Sequence, residues 1–433
     1  FGGTTTQDPD YITKYGSNFA DIHGDAINPL NLLKSSSLFN RTSDTWSTTT
    51  LEVGNIVPGL KYVSRFTYNV QSNHRKEFDP RRDEVGKPDN RNYLYESTYR
   101  TDQWKTENTL TYDNTFGKHT VGALLSTTAD HYNVRGFELD GQDFADQSPY
   151  MQYIAYAKAV SGKDYLTGPD ANVSLIGRLA YSYDDRYFLT ASWRRDYAGR
   201  LPKDNNHGDF PAVTGAWKIS NESFFPKNDV VSLLKLRASW GRVGNLGSIG
   251  YNYKTLLTGI DTRTEGAQYG VENGTLWNTI VYNMTALNND LTWETSEQFD
   301  LGLDLNMFND RLALQFDWFE KRTFNLIQTQ SMNWPNSIGI DAMLVNQGEV
   351  RNRGIEFSAN WNDRVNKNFS YYVSGNFSWL KNWVSNIGVK DSDGNPGVWT
   401  GDGKFRLIPY CYQTAEGEPL GSFYLVKTDG IFQ

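Results

Sequence analysis

Apolar and polar side chains alternate along much of this chain. Within residues 351–361, the parity of Ile355, Phe357 and Trp361 is apolar from residue 355 onward, while the residues of the other parity there are polar. Residues 369–379 repeat the pattern. A period of two puts successive side chains on opposite faces of a β-strand, so both segments are predicted to be strands. The pattern alone leaves open whether the apolar face meets a second sheet or lipid.

The predicted strands come in pairs, and the connections between them are of two kinds. Tight turns are predicted at 58–59, 116–118, 184–186 and 309–310. Long intervals separate the pairs, at about 140–170, 241–290, 328–350 and 386–417. Transmembrane β-barrels have short turns at one rim and long loops at the other. We therefore expect the intervals after residue 240 at one rim and the last three of these turns at the other.

The alternation also predicts which side chains meet lipid and which meet water in such a barrel. Polar residues of one parity are expected to face a wet lumen, namely Arg178, Arg194, Asp300, Asp304, Asp317 and Glu356. Aromatic residues near strand ends are expected to form interfacial girdles, namely Tyr183, Trp193, Trp293, Trp318, Trp361 and Trp379. One long strand is predicted over residues 311–327. Short helices are expected near residues 150–160 and 222–234, the second shortened by Pro226.

Composition narrows the class of protein. No run of about 18 apolar residues occurs, which excludes a transmembrane helix but leaves a membrane barrel open. The formal net charge is -8 and no basic stripe is present, so nucleic acid is not an expected partner. Cys411 is the only cysteine, which excludes an intrachain disulfide and a cysteine zinc cluster.

The search for catalytic chemistry yields no expected active site. Asp300 and Asp304 share a strand face but lie roughly 13 Å apart at about 3.3 Å per residue, farther than glycosidase carboxylates. Asp184 and Asp185 are interpreted as a turn. Residues 391–395 resemble the start of a calcium loop, but Pro396 stands where an EF-hand needs glycine. We expect no enzyme activity, no cofactor and no catalytic or metal residues.

Aromatic residues in the long intervals are the candidates for binding a substrate. They are Tyr251, Tyr269, Trp277, Trp334 and Trp399. Flat rings beside amide and carboxylate groups suit sugar rings and also suit peptides. The alternative for each residue is that it packs the loops against one another or against a partner.

Several segments together resemble SusC/RagA-type TonB-dependent transporters of the Bacteroidetes outer membrane. They are ENTLTYDNTFGKHTVGALL (107–125), GRLAYSYDDRYFLTASWRRD (177–196), FPAVTGAWKISNESFF (210–225), LKLRASWGRVGN (234–245), LTWETSEQFDLGLDLNMFNDRLALQFDWFEKRT (291–323), VRNRGIEFSANW (350–361) and GSFYLVKTDGIFQ (421–433). The resemblance implies a barrel of about 22 strands with an N-terminal plug. It also implies a SusD-like surface lipoprotein, coupling to the TonB complex through the plug, and import of oligosaccharides or peptides.

The predicted fold is all-β: part of an antiparallel transmembrane β-barrel with long extracellular loops. We expect residues 1–433 to be part of a single β-barrel domain, with the plug and the last strands outside this chain. The expected function is nutrient import at the bacterial outer membrane, among membrane lipids. Two alternatives are a soluble secreted β protein that binds carbohydrate and an outer-membrane enzyme on a smaller barrel. A transporter needs detergent for extraction, whereas a soluble protein stays in buffer.

Overall fold

The computed structural model describes most of the chain. The described residues are 33, 36–54, 56–81, 91–226, 228–247, 249, 257–259, 268–272, 275–278, 282–284, 288–331, 342–390, 393–400, 412–425 and 430.

Strands dominate this part of the chain. Their bounds are β1 Ser37–Gly54, β2 Leu60–Asp79, β3 Tyr93–Phe116, β4 His119–Gln142, β5 Ala159–Tyr183, β6 Tyr187–Ala198, β7 His207–Lys218, β8 Val231–Asn245, β9 Leu257–Gly259, β10 Gln268–Glu272, β11 Thr275–Asn278, β12 Tyr282–Met284, β13 Glu294–Met307, β14 Leu312–Phe324, β15 Ile327–Ser331, β16 Ala342–Asn346, β17 Glu349–Asn366, β18 Phe369–Asn386, β19 Trp399–Thr400, β20 Tyr412–Thr414 and β21 Ser422–Phe423. The all-β prediction is confirmed. None of the described helices is long and apolar enough to span a membrane.

Twelve strands form the main sheet, in the order β1-β2-β3-β4-β5-β6-β7-β8-β13-β14-β17-β18. From β5 to β18 each neighbouring pair is antiparallel. The remaining described strands form small sheets: β10 with β11, β9 with β12, β15 with β16, and β19 with β20 and β21. Strands that follow one another along the chain are therefore mostly neighbours in the sheet, as the paired segments predicted.

The chain divides into two compact units. Unit 1 comprises Phe1–Thr50, Arg65–Thr106 and Asp130–Ala171, and unit 2 comprises Leu51–Ser64, Glu107–Ala129 and Asn172–Gln433. Strands β1 to β5 contribute residues to both units, whereas β6 and all later strands belong to unit 2. The single-domain expectation for residues 1–433 stays a prediction.

The register in unit 2 sorts side chains into two faces. Leu303 of β13 lies opposite Leu236 of β8 and Phe316 of β14. Phe316 in turn lies opposite Phe357, and Phe357 opposite Phe377. We call the face that carries this parity the apolar face, and the face with the parity of Asp300 the polar face. Because the sequence period matches the pleat on every one of these strands, the register keeps the two faces distinct.

Tight turns join the strand pairs of unit 2 at one edge of its sheet. They occupy 117–118, 184–186, 308–311 and 367–368. Asp184 and Asp185 both have φ of 51°, while Asn309 and Asp310 have φ of 57° and 62°. Asn and Asp tolerate this left-handed region better than most residues, because their short polar side chains bond locally. The predicted turns at 58–59, 116–118, 184–186 and 309–310 are confirmed.

Long connections leave the opposite edge of the unit 2 sheet. Asn245 pairs with Glu294, and Phe324 pairs with Glu349. Glu349 also pairs with Asn386. The connections at 246–293 and 325–348 therefore begin and end in one row, and the segment after β18 begins in the same row. This row is the loop edge that the sequence predicted for the intervals after residue 240.

Unit 1 has its own small core beside its connections. Phe78, Leu94 and Phe144 are buried together, with Ile154 and Ala157 packed against them. The amide of Asn92 donates to the Phe144 carbonyl at 2.8 Å and accepts from the Phe144 N–H at 2.7 Å. These contacts anchor the start of the connection between β4 and β5.

Three expectations from the sequence are wrong. The helix near 150–160 is only a 3₁₀ turn, Ile154–Tyr156, and β5 already begins at Ala159, inside the predicted interval 140–170. The helix near 222–234 is also absent from the structure. A 3₁₀ turn ends at Asn221 and β8 begins at Val231, because Pro226 breaks a helix and β-branched valines favour a strand. The long strand 311–327 stops at Phe324, since Asn325 has φ of 55°.

Candidate functional site

The apolar face of unit 2 is exposed rather than covered. Leu301 is 45% exposed, Phe316 42% and Phe377 57%. Exposed apolar areas this continuous are rare on soluble proteins and mark membrane or protein interfaces. In the soluble alternative the same parity would be buried against a second sheet, and the described residues show the opposite.

The height of the apolar face matches a bilayer. On β18 the apolar parity runs from Phe369 to Trp379. With about 3.4 Å per residue and a strand tilt near 40°, this segment rises about 26 Å, close to the apolar band of about 25 Å in outer-membrane barrels. The strands are therefore long enough to cross the hydrocarbon layer.

Aromatic rings mark the turn edge of the apolar face. Tyr187 stacks on Trp217 with ring centroids 6.5 Å apart and lies 6.5 Å from the ring of Tyr183. Trp361 donates its indole N–H to the Tyr371 hydroxyl at 3.2 Å. Tyr and Trp prefer the membrane–water interface because one end of each ring is polar.

Most of the predicted girdle residues in unit 2 lie on the apolar face. Tyr183 pairs with Tyr187, and Trp379 pairs with Ile355 of the same face. Trp293 is the exception. It packs with Leu201 and Leu291 just before β13 begins, so it belongs to a loop core rather than to a girdle.

The polar face carries an ion-pair network at its centre. Arg237 of β8 donates to both oxygens of Asp304, with Nε–Oδ2 and Nη2–Oδ1 distances of 2.9 Å. The same guanidinium reaches Asp317 of β14 at 3.0 Å. Gly302 lies beneath it, and a Cβ there would come within 2.7 Å of Arg237 Cζ. The glycine lets the guanidinium lie flat across three strands.

Further polar groups continue the network towards β18. Asp317 lies opposite Glu356, and Glu356 lies opposite Ser378. Ser239 donates to Asp300 at 2.8 Å. A shallow depression on this side is lined by Gln315, Asp317, Glu356, Ser358, Asn376 and Ser378, together with parts of Phe357 and Phe377. Such a face offers hydrogen bonds and charge to water and to hydrophilic solutes. The predicted lumen side chains of β13, β14 and β17 are the ones found here.

Two apolar clusters anchor the connections at the loop edge of unit 2. Leu201, Ile249 and Leu291 are buried together, and residues of the β15–β16 hairpin pack on them. Asn346 links the segments of this region, because its amide donates to the Thr292 and Asn325 carbonyls at 2.8 and 3.0 Å. It also accepts from the Thr292 N–H at 2.7 Å. Loops held in this way can present binding groups from a rigid base.

The second cluster contains one of the predicted binding residues. Trp399 packs against buried Val350, Val384 and Ile387. Its ring also covers Gly348, where a Cβ would meet Trp399 Cη2 at 2.9 Å. This placement favours the packing alternative for Trp399.

The other four predicted binding residues are not brought together by what the structure describes. Tyr269 lies on β10 and Trp277 on β11, which pair as a hairpin, but their side chains fall outside the description. Tyr251 and Trp334 lie outside the described residues altogether. A role for these residues in substrate binding stays a prediction.

Charged groups at the turn edge are structural. Asp184 and Asp185 accept ion pairs from Lys118 and Lys218, each at 2.8 Å. Hydrogen bonding to Lys118 lowers the pKa of Asp184, and hydrogen bonding to Lys218 lowers the pKa of Asp185. The turn interpretation of this carboxylate pair is confirmed. Among the described residues, no group of three or more His, Cys, Asp or Glu side chains could hold a metal ion.

The sequence did not predict a role for Arg237. It lies 67 residues from Asp304 and 80 from Asp317, so only the register brings the three together. The available signal was its position on the polar parity of β8, directly beside Leu236.

The strands expose an apolar face and hold charge on the other face, and short turns are separated from long connections. These features define an outer-membrane type of β-barrel. A family model described as TonB dependent receptor-like, beta-barrel, matches residues 1–410. The chain belongs to this family of outer-membrane receptors and transporters.

Individual relatives agree with the family. TonB-dependent receptor P3 of Formosa agariphila is 29% identical over 414 residues, which cover 95% of this chain and 39% of that protein. TonB-dependent receptor SusC of Bacteroides thetaiotaomicron is 31% identical over 285 residues, covering 65% of this chain and 27% of that protein. The chain thus spans at most about two fifths of these curated relatives.

Solved structures share this fold. The structure of the RagAB peptide transporter superposes with a TM-score of 0.76 at 20% identity, covering 95% of this chain and 43% of that chain. At this identity the similarity shows the fold alone.

Proposed function

We propose that the full-length protein carrying this chain is a SusC-type TonB-dependent importer in the bacterial outer membrane. It moves oligosaccharides or peptides inward along the polar face. The observation that carries this proposal is the pair of faces in unit 2. The apolar face is exposed to the height of a bilayer, while the polar face on the same strands holds the Arg237 network. A protein with these two faces separates lipid from water.

The partners follow from the same proposal. A SusD-like surface lipoprotein would meet the loop edge, and the TonB complex would act through the plug of the full-length protein. The names of the relatives support TonB coupling, and the neighbouring structure is of a peptide transporter. In this role the protein needs no cofactor and catalyses no reaction.

The substrate is expected to meet the protein first at the loop edge. Tyr251, Tyr269, Trp277 and Trp334 remain the proposed contact residues there. Trp399 is the weaker candidate, because it already covers Gly348 and the buried cluster beside it.

Deletion of the gene, with complementation by the full-length protein, tests the function. Uptake of fluorescently labelled oligosaccharides and of labelled peptides is measured in the deletion strain and in the complemented strain. We expect uptake of one class to be lost on deletion, restored on complementation and abolished by a protonophore. If the deletion strain took up both classes as fast as the complemented strain, the proposal would be overturned.

The binding residues have their own test in the complemented strain. Tyr269→Ala and Trp277→Ala are expected to raise the substrate concentration needed for half-maximal uptake. Trp399→Ala is the matched control at the same edge, and it is expected to reduce the amount of folded protein rather than this concentration. If Trp399→Ala raised this concentration and the Tyr269 and Trp277 variants did not, Trp399 would be the contact residue.

A further inference from the structure

Five cations lie on the apolar face of β8, β14, β17 and β18, at the end of these strands nearest the loop edge. They are Arg242, Arg322, Arg351, Arg353 and Lys381, and we call them the cationic band. The band begins where the apolar rows stop. Trp318 lies opposite Ile355, and the next pair of the same parity is Glu320 with Arg353. Two residues along β18 from Trp379, which pairs with Ile355, is Lys381.

The band shows more positive than negative charge to its surroundings. Its carboxylates are Glu297, Glu320 and Glu349, so five cations face three anions. The side chains of these carboxylates are 12–25% exposed, whereas those of the four arginines are 37–49% exposed. The anions lie beneath the guanidinium groups, and the outer layer is cationic although the whole chain has a net charge of -8.

Ion pairs hold the arginines in place, and the band keeps a net positive charge. Arg242 binds Glu297 at 2.7 Å, and Arg353 binds Glu320 at 2.6 Å. Each of the two arginines also lies against an aromatic ring of the same face. Arg242 is 5.5 Å from the ring centroid of Trp240. Arg353 is 5.7 Å from the ring centroid of Trp383. Rings of this kind fix the guanidinium groups at the depth of the membrane–water interface.

Lys381 is the point where the band is least balanced. It is exposed, and within the described part of the chain no carboxylate pairs with it. Its cross-strand partner is Arg353. Like charges directly opposite each other destabilise a sheet. An anion bound between these two cations would convert their repulsion into attraction.

We propose that the cationic band binds the phosphate of lipid headgroups in the leaflet on the side of the loop edge, with Arg353 and Lys381 as the direct ligands. The acyl chains of the bound lipid lie along Ile355 and Trp379, on the apolar rows next to the band. Both contacts together select a phosphate that carries hydrocarbon over free phosphate. The inference rests on the membrane placement used in the proposed function, but it does not depend on the substrate or on transport.

The test measures lipid binding to the full-length protein in detergent. The protein is titrated with dioleoyl phosphatidic acid, and bound lipid is counted by native mass spectrometry. Replacing both ligands, as in Arg353→Gln with Lys381→Gln, is expected to weaken binding about 30-fold, the effect of losing two interfacial cations. Dioleoylglycerol, which lacks the phosphate, is expected not to bind. Inorganic phosphate at the same concentration is expected not to compete.

The matched control removes the same charge from the polar face. Lys235→Gln with Lys321→Gln is expected to change phosphatidic acid binding less than about twofold, since neither lysine reaches the apolar face. Arg353→Lys with Lys381→Arg keeps the charge and is expected to keep the binding. The heat-dependent mobility of folded barrels checks each variant. If the double glutamine variant does not fold, Lys381→Gln alone is used, with about a fivefold loss expected.

Three results would overturn the proposal. Unchanged phosphatidic acid binding in the Arg353/Lys381 glutamine variant would show that the band is not the site. Equal losses in that variant and in the Lys235/Lys321 control would show an effect of net charge only. Competition by inorganic phosphate would show a free-anion site instead of a lipid site. Uptake is measured separately on the same variants, so failure of the lipid site and failure of the transport proposal can be told apart.

Discussion

The two faces of the unit 2 sheet are built from the same strands but meet opposite surroundings, lipid on one side and water on the other. The apolar face places Leu303, Phe316 and Phe357 in one row, and these side chains gain stability only when lipid covers them. The polar face places Arg237 between Asp304 and Asp317, where hydrogen bonds and water stabilise the charges. A single residue therefore has a very different effect depending on its parity. Solvent, more than packing, decides which side chains each strand position tolerates.

The largest expected effect comes from placing a charge on the apolar face. Phe316→Arg is expected to destabilise the full-length protein in lipid vesicles by about 2–4 kcal/mol, because a guanidinium enters hydrocarbon. Its neighbour Gln315 points to the polar face, so Gln315→Arg is the matched control, with an expected effect below about 1 kcal/mol. Denaturant-dependent tryptophan fluorescence measures both. Equal effects would show that the two faces meet the same surroundings.

The second effect is on the polar face. Arg237→Ala leaves Asp304 and Asp317 without their cation, and we expect a loss of about 1–2 kcal/mol, reduced by the partial exposure of the guanidinium. A double-mutant cycle with Asp304→Asn isolates the pair. The double variant is expected to lose less unfolding free energy than the two single variants lose together. Additive losses would show that the network contributes nothing beyond its members.

A smaller effect is expected where the faces end, at the loop edge. Asn346→Ala removes three hydrogen bonds to backbone groups of Thr292 and Asn325. We expect local opening to become easier by about 1 kcal/mol, measured as faster hydrogen exchange at residues 327–331. Asn366→Ala at the turn edge removes one bond to the Asn368 N–H and is the control. Faster exchange at residues 327–331 in both variants would contradict a specific role for Asn346.

The smallest effect is a pH dependence at the turn edge. The pKa of Asp184 is lowered by its hydrogen bond to Lys118, so its unfolded pKa is the higher of the two. The stabilisation is therefore complete above the unfolded value of about 4 and is lost as the pH falls through the lower folded value. Lys118→Gln is expected to be less stable than the wild type at pH 6, and this difference is expected to shrink as the pH falls below about 4. A difference that stays constant over this pH range would contradict the assignment.

The sequence predicted the strand pairs and tight turns, because alternation and turn residues are local signals. Asp184, Asp185 and Asn309 are examples whose turn chemistry can be read directly. The helix predictions were wrong because short mixed segments such as 222–234 have no clear period. The conformation of such a segment depends on the strand beside it. Arg237 could not be paired with Asp304 from sequence, since their contact depends on the register of β8 with β13. The role of Trp399 likewise depends on Gly348 and Val384, which are distant in the chain.

Site-directed spin labelling along β13 tests the two-face assignment most directly. Single cysteines are placed from Glu294 to Met307 in the full-length protein, with Cys411→Ser in the background, and the protein is reconstituted in lipid. Labels at 299, 301, 303 and 305 are expected to collide mainly with oxygen dissolved in the bilayer, and labels at 298, 300 and 304 mainly with a water-soluble nickel complex. Protection of the odd positions from both reagents would mean that protein covers them, and it would contradict the membrane barrel.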